Sequence, residues 1–239
     1  MAELPGAELA PSSNSSGLQR LCQALGYEFR EQGLLEMALT HRSAAGKNYE
    51  RLEFLGDAVL DHVISHELYH RYPRSNEGEL SRLRSTLVNR EMLASIAQRI
   101  AIGEHLKLGQ GELKSGGFRR SSILADALEA IFGAISLDSG FPRAREVILR
   151  LYQPCFEELP ELDQLKDPKT RLQEFLQARR LSPPSYSIVR EEGSKHARIY
   201  VVECESPALP ERVEGRGSSR RKAEQAAARE AFRILAGHE

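Results

Sequence analysis

The chain has 239 residues and a mass of 26.8 kDa, a length that suits two modest domains better than one. With 41% apolar and 28% charged residues it can bury a core, which excludes disorder over its whole length. Its formal net charge is −1, from 33 Lys plus Arg against 34 Asp plus Glu, and this excludes a uniformly basic coat. The balance hides an asymmetry. Residues 167–239 carry 14 basic and 11 acidic side chains, net +3, and the rest carry 19 and 23, net −4. An acidic front and a basic back suit a molecule that holds cations at one end and polyanions at the other.

Taken in chain order, residues 1–16 are rich in Pro, Ser and Gly, lack a basic or apolar signal region, and are expected to form a disordered tail rather than a signal peptide. Apolar residues then recur at three- and four-residue intervals, as in Leu52, Leu55, Val59, Val63 and in Leu80, Leu83, Leu87, which predicts an all-helical domain over 17–156. Glycine and proline punctuate it at Gly46, Tyr72-Pro73, Gly103, Gly109 to Gly117 and Gly140 to Pro142. The most apolar run, Ile123 to Leu137, is interrupted by Asp126 and Glu129 and falls short of the ~20 apolar residues of a membrane span. Cys22, Cys155 and Cys204 are far apart and form no C-x-x-C pair, which fits a reducing cytoplasm and neither a disulfide framework nor a thiolate metal site.

Residues 157–166, polar and acidic, read as a linker. Residues 167–236 change texture. A short helix over Lys169 to Ala178 precedes two segments rich in β-branched and aromatic residues, Tyr186 to Val189 and Ile199 to Cys204. A third strand near Val213 and a helix over Gly217 to Leu235 complete an α-β-β-β-α order. The fold class is therefore multi-domain: an all-α N-terminal domain followed by an α+β C-terminal domain.

In the helix containing Glu50-Arg51-Leu52-Glu53-Phe54-Leu55-Gly56-Asp57, Glu50, Glu53 and Asp57 share one face. Apolar flanks place this acidic stripe beside the core rather than on a solvated surface. Asp126 and Glu129 lie in a helix that is otherwise apolar or small, with no Lys or Arg from Ser121 to Phe141. Burying such carboxylates unpaired costs several kcal/mol. Their counter-charge is either a salt bridge from Arg51 or Arg84, or a divalent cation between the helices. All-oxygen ligation would favour Mg²⁺, with Mn²⁺ as a substitute, over zinc. Gly56 would let the second helix approach beside Asp57. His62, His66 and His70 recur every four residues without matching ligands elsewhere and read as exposed or locally bonded. No P-loop or dinucleotide fingerprint occurs, so no nucleotide cofactor is expected.

Arg220, Arg221 and Lys222 follow Ser218 and Ser219 in the first turn of the last helix, where cations oppose the macrodipole. Folding alone explains that placement poorly. Free N–H groups plus three cations suit a row of phosphates. The chain has no Trp and no run of stacking aromatics, which leaves the shape and phosphates of A-form duplex RNA as the features to be read. Ala223, Ala226, Ala227 and Ala231 pack the helix onto a sheet.

Glu50 to Leu60, ERLEFLGDAVL, resembles the signature of the ribonuclease III family, as do ALTHRS (38–43), GELKSGGFRR (111–120) and ILAD (123–126). DPKTRLQEFLQ and GSSRRKAEQAAA resemble the two helices of a double-stranded-RNA-binding domain. The resemblance covers nearly all of the chain after residue 17. It implies that Glu53, Asp57, Asp126 and Glu129 are metal-binding catalytic carboxylates, with Glu50 and Glu77 as auxiliary acidic residues lining the cleft. Phe54 would insert into the partner of a homodimer. RNA contacts carry over to Thr170, Gln173, Glu174, His196, Arg220, Arg221, Lys222 and Gln225. Tyr49 stands where the signature commonly has Asn, a departure that bears on hydrogen bonding at the cleft. The implied activity is metal-dependent hydrolysis of double-stranded RNA to 5′-phosphate and 3′-hydroxyl ends with short 3′ overhangs, in rRNA precursor and mRNA processing. A duplex-RNA binder without catalysis would have no use for two carboxylates in so apolar a helix, and a phosphohydrolase acting on small nucleotides would leave the basic helix start unexplained.

Overall fold

The structure is a computed structural model that describes residues 13–159, 166–193 and 198–237, with side chains from residue 17. Most of the expected tail and linker, and His196, lie outside the described residues. The chain divides into two compact units, Met1–Leu159 and Pro160–Glu239.

The first unit is helical: α1 (Ser13–Leu25), α2 (Gln32–Ala38), α3 (Glu50–Arg71), α4 (Glu77–Leu87), α5 (Arg90–Arg99), α6 (Gln110–Lys114), α7 (Ser121–Ser139) and α8 (Phe141–Glu157), with 3₁₀ turns at Ile102–His105 and Gly117–Arg119. α1 begins four residues inside the stretch read as a tail, because Leu21, Cys22 and Leu25 supply a buried face that carries the helix back to Ser13. Helix starts follow local chemistry. Asn76 and Glu79 form a reciprocal capping box at α4, and the Asn89 side chain accepts from the Met92 N–H at 2.9 Å to start α5. Gly140, at φ 83°, turns α7 into α8, and Pro142 sits in the first turn of α8, where its missing N–H is not needed.

α7 is the central helix, packed against α3, α5, α8 and α2. Eleven of its residues are buried, and each fully buried Leu or Ile among them contributes about 2 kcal/mol. Its contact with α3 is backbone on backbone. A Cβ on Gly56 would lie 1.7 Å from the Glu129 carbonyl oxygen, and one on Gly133 would lie 2.2 Å from that of Leu52. Two glycines, one on each helix, set how closely the acidic stripes approach.

In the second unit α9 (Pro168–Ala178) precedes β1 (Ser185–Glu192), β2 (Ile199–Glu205) and β3 (Val213–Gly217), an antiparallel sheet in the order β1-β2-β3, and α10 (Arg220–Ala236) follows. Leu172, Leu176, Cys204, Val213, Ala227, Ala228 and Ala231 form its core. The buried alanine face is Ala223, Ala227, Ala228 and Ala231, so Ala228 takes the place expected for the half-buried Ala226. A Cβ on Gly215 would meet Ala227 N at 2.1 Å, so β3 lies directly on the helix backbone. Gly217 belongs to β3 rather than to α10, and Ser219 is the N-cap, accepting from the Lys222 N–H.

Candidate metal and RNA-cleavage site

One oxygen from each of Glu53, Asp126 and Glu129 lies within 4.8 Å of the others. α3 supplies Glu53, and α7 supplies the other two, three residues apart on one face. Asp57, one turn beyond Glu53, stands outside this set of three, but its charge acts on Glu129. Among the described residues no Lys or Arg forms an ion pair with any of the four. Arg84 instead donates to Ser65 Oγ at 3.0 Å, and Arg51 is exposed, so neither salt bridge considered from the sequence is made.

The result is negative charge that Arg42 and Arg90 offset only from a distance. Burial, reinforced by Asp57, Asp126, Glu53 and Asp61, pushes the Glu129 carboxyl up to about 8. Burial raises Glu53, with Asp126 and Glu50 adding to it, and raises Asp57, with Asp61 adding. Asp126 is raised by burial too, although the Tyr49 hydroxyl and the charges of Arg90, His41 and Arg42 ease it. Oxygens sharing a Mg²⁺ at about 2.1 Å stand no more than about 4.2 Å apart, so small side-chain adjustments bring the three within range of one hard divalent ion. The donor set fits such an ion.

Beside the carboxylates opens a cleft of about 240 Å³ lined by Glu50, Glu53 and Asp126, with Tyr49, His41, Arg42, Glu112 and Arg120 around them. Tyr49 is buried, and its hydroxyl donates to Asp126 Oδ2 at 3.4 Å. The residue that departs from the signature thus orients one of the carboxylates. The neighbouring Asn48, one residue before the N-cap position of α3, accepts from the Glu50 N–H at 3.0 Å. Glu77 is not on this cleft. It sits in the first turn of α4, accepts from Ser81 Oγ at 2.7 Å, and borders a separate groove with Tyr69, Leu80 and Arg84. Phe54 is 80% exposed, so its ring is no part of its own chain's core. His62, His66 and His70 lie along the exposed side of α3, and His70 Nδ1 bonds to the His66 carbonyl at 2.8 Å.

In the second unit Thr170, Gln173 and Glu174 share an exposed face of α9, and Arg220, Arg221 and Lys222 are exposed at the start of α10. Several are engaged within the chain. Gln225 donates to Asp167 Oδ2 at 2.6 Å, Glu174 pairs with Lys166 at 2.9 Å, and Arg220 with Glu224 at 2.8 Å. Among the described residues Arg221 and Lys222 have no ion-pair partner. Glu224, which the sequence did not single out, also takes Lys169 at 2.7 Å and so ties α9 to α10.

A helical unit with a carboxylate cluster that fits a divalent ion and an α-β-β-β-α unit with a basic helix start have the form of a double-stranded-RNA nuclease, and the family matches bear this out. Residues 31–155 match the model of the ribonuclease-III-like family, and residues 168–235 match that of the double-stranded RNA binding motif. Curated relatives named Ribonuclease 3 are similar over 92% of the chain: one from Pasteurella multocida at 51% identity, covering 98% of its length, and one from Pseudomonas paraeruginosa at 53%, covering 96%. The nuclease domain of ribonuclease III from Campylobacter jejuni is similar at 45% identity with a TM-score of 0.57, covering 60% of this chain and 98% of that one. The chain belongs to the ribonuclease III family. No helix among the described residues is long and apolar enough to cross a membrane.

Proposed function

We propose that the chain hydrolyses phosphodiester bonds of double-stranded RNA at the cluster of Glu53, Asp126 and Glu129, with Asp57 completing the ligand set. The observation that carries this reading is the convergence of three carboxylates within 4.8 Å, none of them in an ion pair with a Lys or Arg among the described residues. Mg²⁺, or Mn²⁺ in its place, would be held by those four residues, and when bound it lowers the pKa of a coordinated water and stabilises charge on the attacked phosphate. Tyr49 orients Asp126, the apolar body of α7 limits water around Glu129, and Glu50 adds negative charge at the rim. The products are 5′-phosphate and 3′-hydroxyl ends.

The exposed Phe54 is assigned to the interface of a homodimer whose two sites each cut one strand, leaving short 3′ overhangs. A structure of the Campylobacter jejuni nuclease domain is described as showing structural flexibility in a region involved in dimer formation, and that is said of the relative. RNA is held by Thr170, Gln173, Glu174, His196, Arg220, Arg221, Lys222 and Gln225, of which Glu174, Arg220 and Gln225 must release partners within the chain. Precursor rRNA and mRNA in the cytoplasm are the proposed substrates, and Glu77 is retained as an auxiliary acidic residue, acting from outside this cleft. The test is incubation of end-labelled duplex RNA with Mg²⁺, with chelator, and with Glu129→Gln. Metal-dependent cutting to staggered ends that is lost in the variant is expected. Cutting that survives chelation overturns the metal assignment.

A further inference from the structure

The cleft has an acidic floor and a basic rim, and its two rim arginines are held differently. Arg120 is committed: it pairs with Glu112 at 2.9 Å and donates to Ser115 Oγ at 3.3 Å. Among the described residues Arg42 has one ion pair, to Glu50 at 3.6 Å, longer than a hydrogen bond, and the two side chains are 71% and 51% exposed. A pair so exposed contributes little stability and breaks readily.

The backbone beneath Arg42 is, by contrast, fixed on both sides. His41 N–H donates to the Lys107 carbonyl at 3.0 Å, and Lys107 N–H to that of Leu39 at 2.8 Å. His41 is buried, its Nδ1 is 2.7 Å from Ser43 Oγ, and its ring packs edge-on against Tyr49. Ser43 Oγ accepts from the Gly109 N–H at 2.9 Å. A rigid base with a guanidinium held only by the loose Glu50 pair, in the same cleft as Glu53 and Asp126 but paired with neither, has the form of a group waiting for an anion. Guanidinium is suited to phosphate because its fork of donors matches two oxygens at once.

We propose that Arg42 is a substrate-holding residue of the cleavage site: on RNA binding its guanidinium leaves Glu50 and takes a backbone phosphate at the mouth of the cleft. This rests on the cleft being the cleavage site. Arg42 therefore contributes to placing the cleaved bond over the carboxylates, and not to holding the cation.

The test compares wild type, Arg42→Ala and Arg42→Lys in single-turnover cleavage of a saturating duplex RNA, together with Mn²⁺ affinity of the RNA-free protein by calorimetry. The cleavage rate of Arg42→Ala should fall by up to about a hundredfold, as for a reacting bond held about 1 Å out of place. Lysine should restore part of it, and Mn²⁺ affinity should be unchanged or tighter because a cation beside the carboxylates has gone. A rate equal to wild type, or a deficit that tracks weakened Mn²⁺ binding and disappears at excess metal, overturns the role of Arg42. Wild-type protein that fails to cut duplex RNA overturns the underlying reading of the cleft instead.

Discussion

Glu129 in the helical unit and Glu224 in the second unit are the same residue type, each partly buried on a helix whose packing face is made of small or apolar side chains. They are driven in opposite directions. Glu224 is gripped by Lys169 at 2.7 Å and Arg220 at 2.8 Å, and these hydrogen bonds and charges hold its carboxyl below the ordinary range. Glu129 has no ion-pair partner among the described residues, faces other carboxylates, and is pushed up by burial and by their charge to about 8. Burial of a carboxylate is tolerable when a counter-charge is built in, as at Glu224, and otherwise points to one supplied from outside. Under the proposed function, the difference separates a residue that holds two helices together from one that would hold a ligand.

The largest effect that tests this contrast is on chemistry. Glu129→Gln should lower single-turnover cleavage of duplex RNA about 10³-fold or more, equivalent to about 4 kcal/mol of barrier. Glu224→Gln should leave the same step intact at saturating RNA. If both variants lose cleavage equally, the distinction between the two carboxylates fails. Next in size is the crossing of α3 and α7. Gly56→Ala drives a Cβ into the Glu129 carbonyl and should cost about 3 kcal/mol, at the upper end of ordinary overpacking. Gly33→Ala, in α2 with nothing within 4 Å of its added carbon, should stabilise by roughly 0.5 kcal/mol through helix propensity. Urea denaturation of both variants checks this, and a Gly56→Ala as stable as wild type would mean that α3 and α7 do not pack backbone on backbone at this point.

Much of this was legible before any coordinates. A helix apolar all round that still carries Asp126 and Glu129 announces a counter-charge from elsewhere, and the 3.6-residue period places Glu53 and Asp57 on one face. Gly56 was readable as a close-approach residue. Its counterpart Gly133 was not, because a glycine in an apolar run looks like any other small residue until a second helix crosses it. The Tyr49 hydroxyl on Asp126, the fixed backbone under Arg42 and the double grip on Glu224 join residues distant in sequence, and no local periodicity encodes them. The same is true of Glu77, whose acidic character gave no hint that the start of α4 directs it to a different groove.

The smaller predictions concern stability. In metal-free protein the Glu129 carboxyl binds its proton more tightly folded than unfolded, so the folded state holds the extra proton between the unfolded value of about 4.5 and about 8. Stability should therefore be fully present below that window and decline as pH rises through it, and Glu129→Gln should flatten the decline. Glu224 has the opposite sign: its depressed carboxyl stabilises above the ordinary carboxylate range and loses that contribution as pH falls through its folded value. Thermal melts across pH 3.5–9 on the two glutamine variants should thus diverge at opposite ends of the scale, and parallel curves would remove the contrast.

A further modest effect extends the reasoning from charges to a neutral group. The Tyr152 hydroxyl is fully buried on α8 and has no hydrogen-bond partner among the described residues, whereas that of Tyr49 is bonded to Asp126. Leaving a buried hydroxyl unpaired costs about 1 kcal/mol or more. Tyr152→Phe, which removes only that oxygen, should therefore raise the unfolding midpoint slightly, and Tyr49→Phe should lower it. A drop for Tyr152→Phe would mean that a bound water satisfies the hydroxyl in solution, and that an unpaired atom in this helix layer, unlike the unpaired charge of Glu129, is no guide to function.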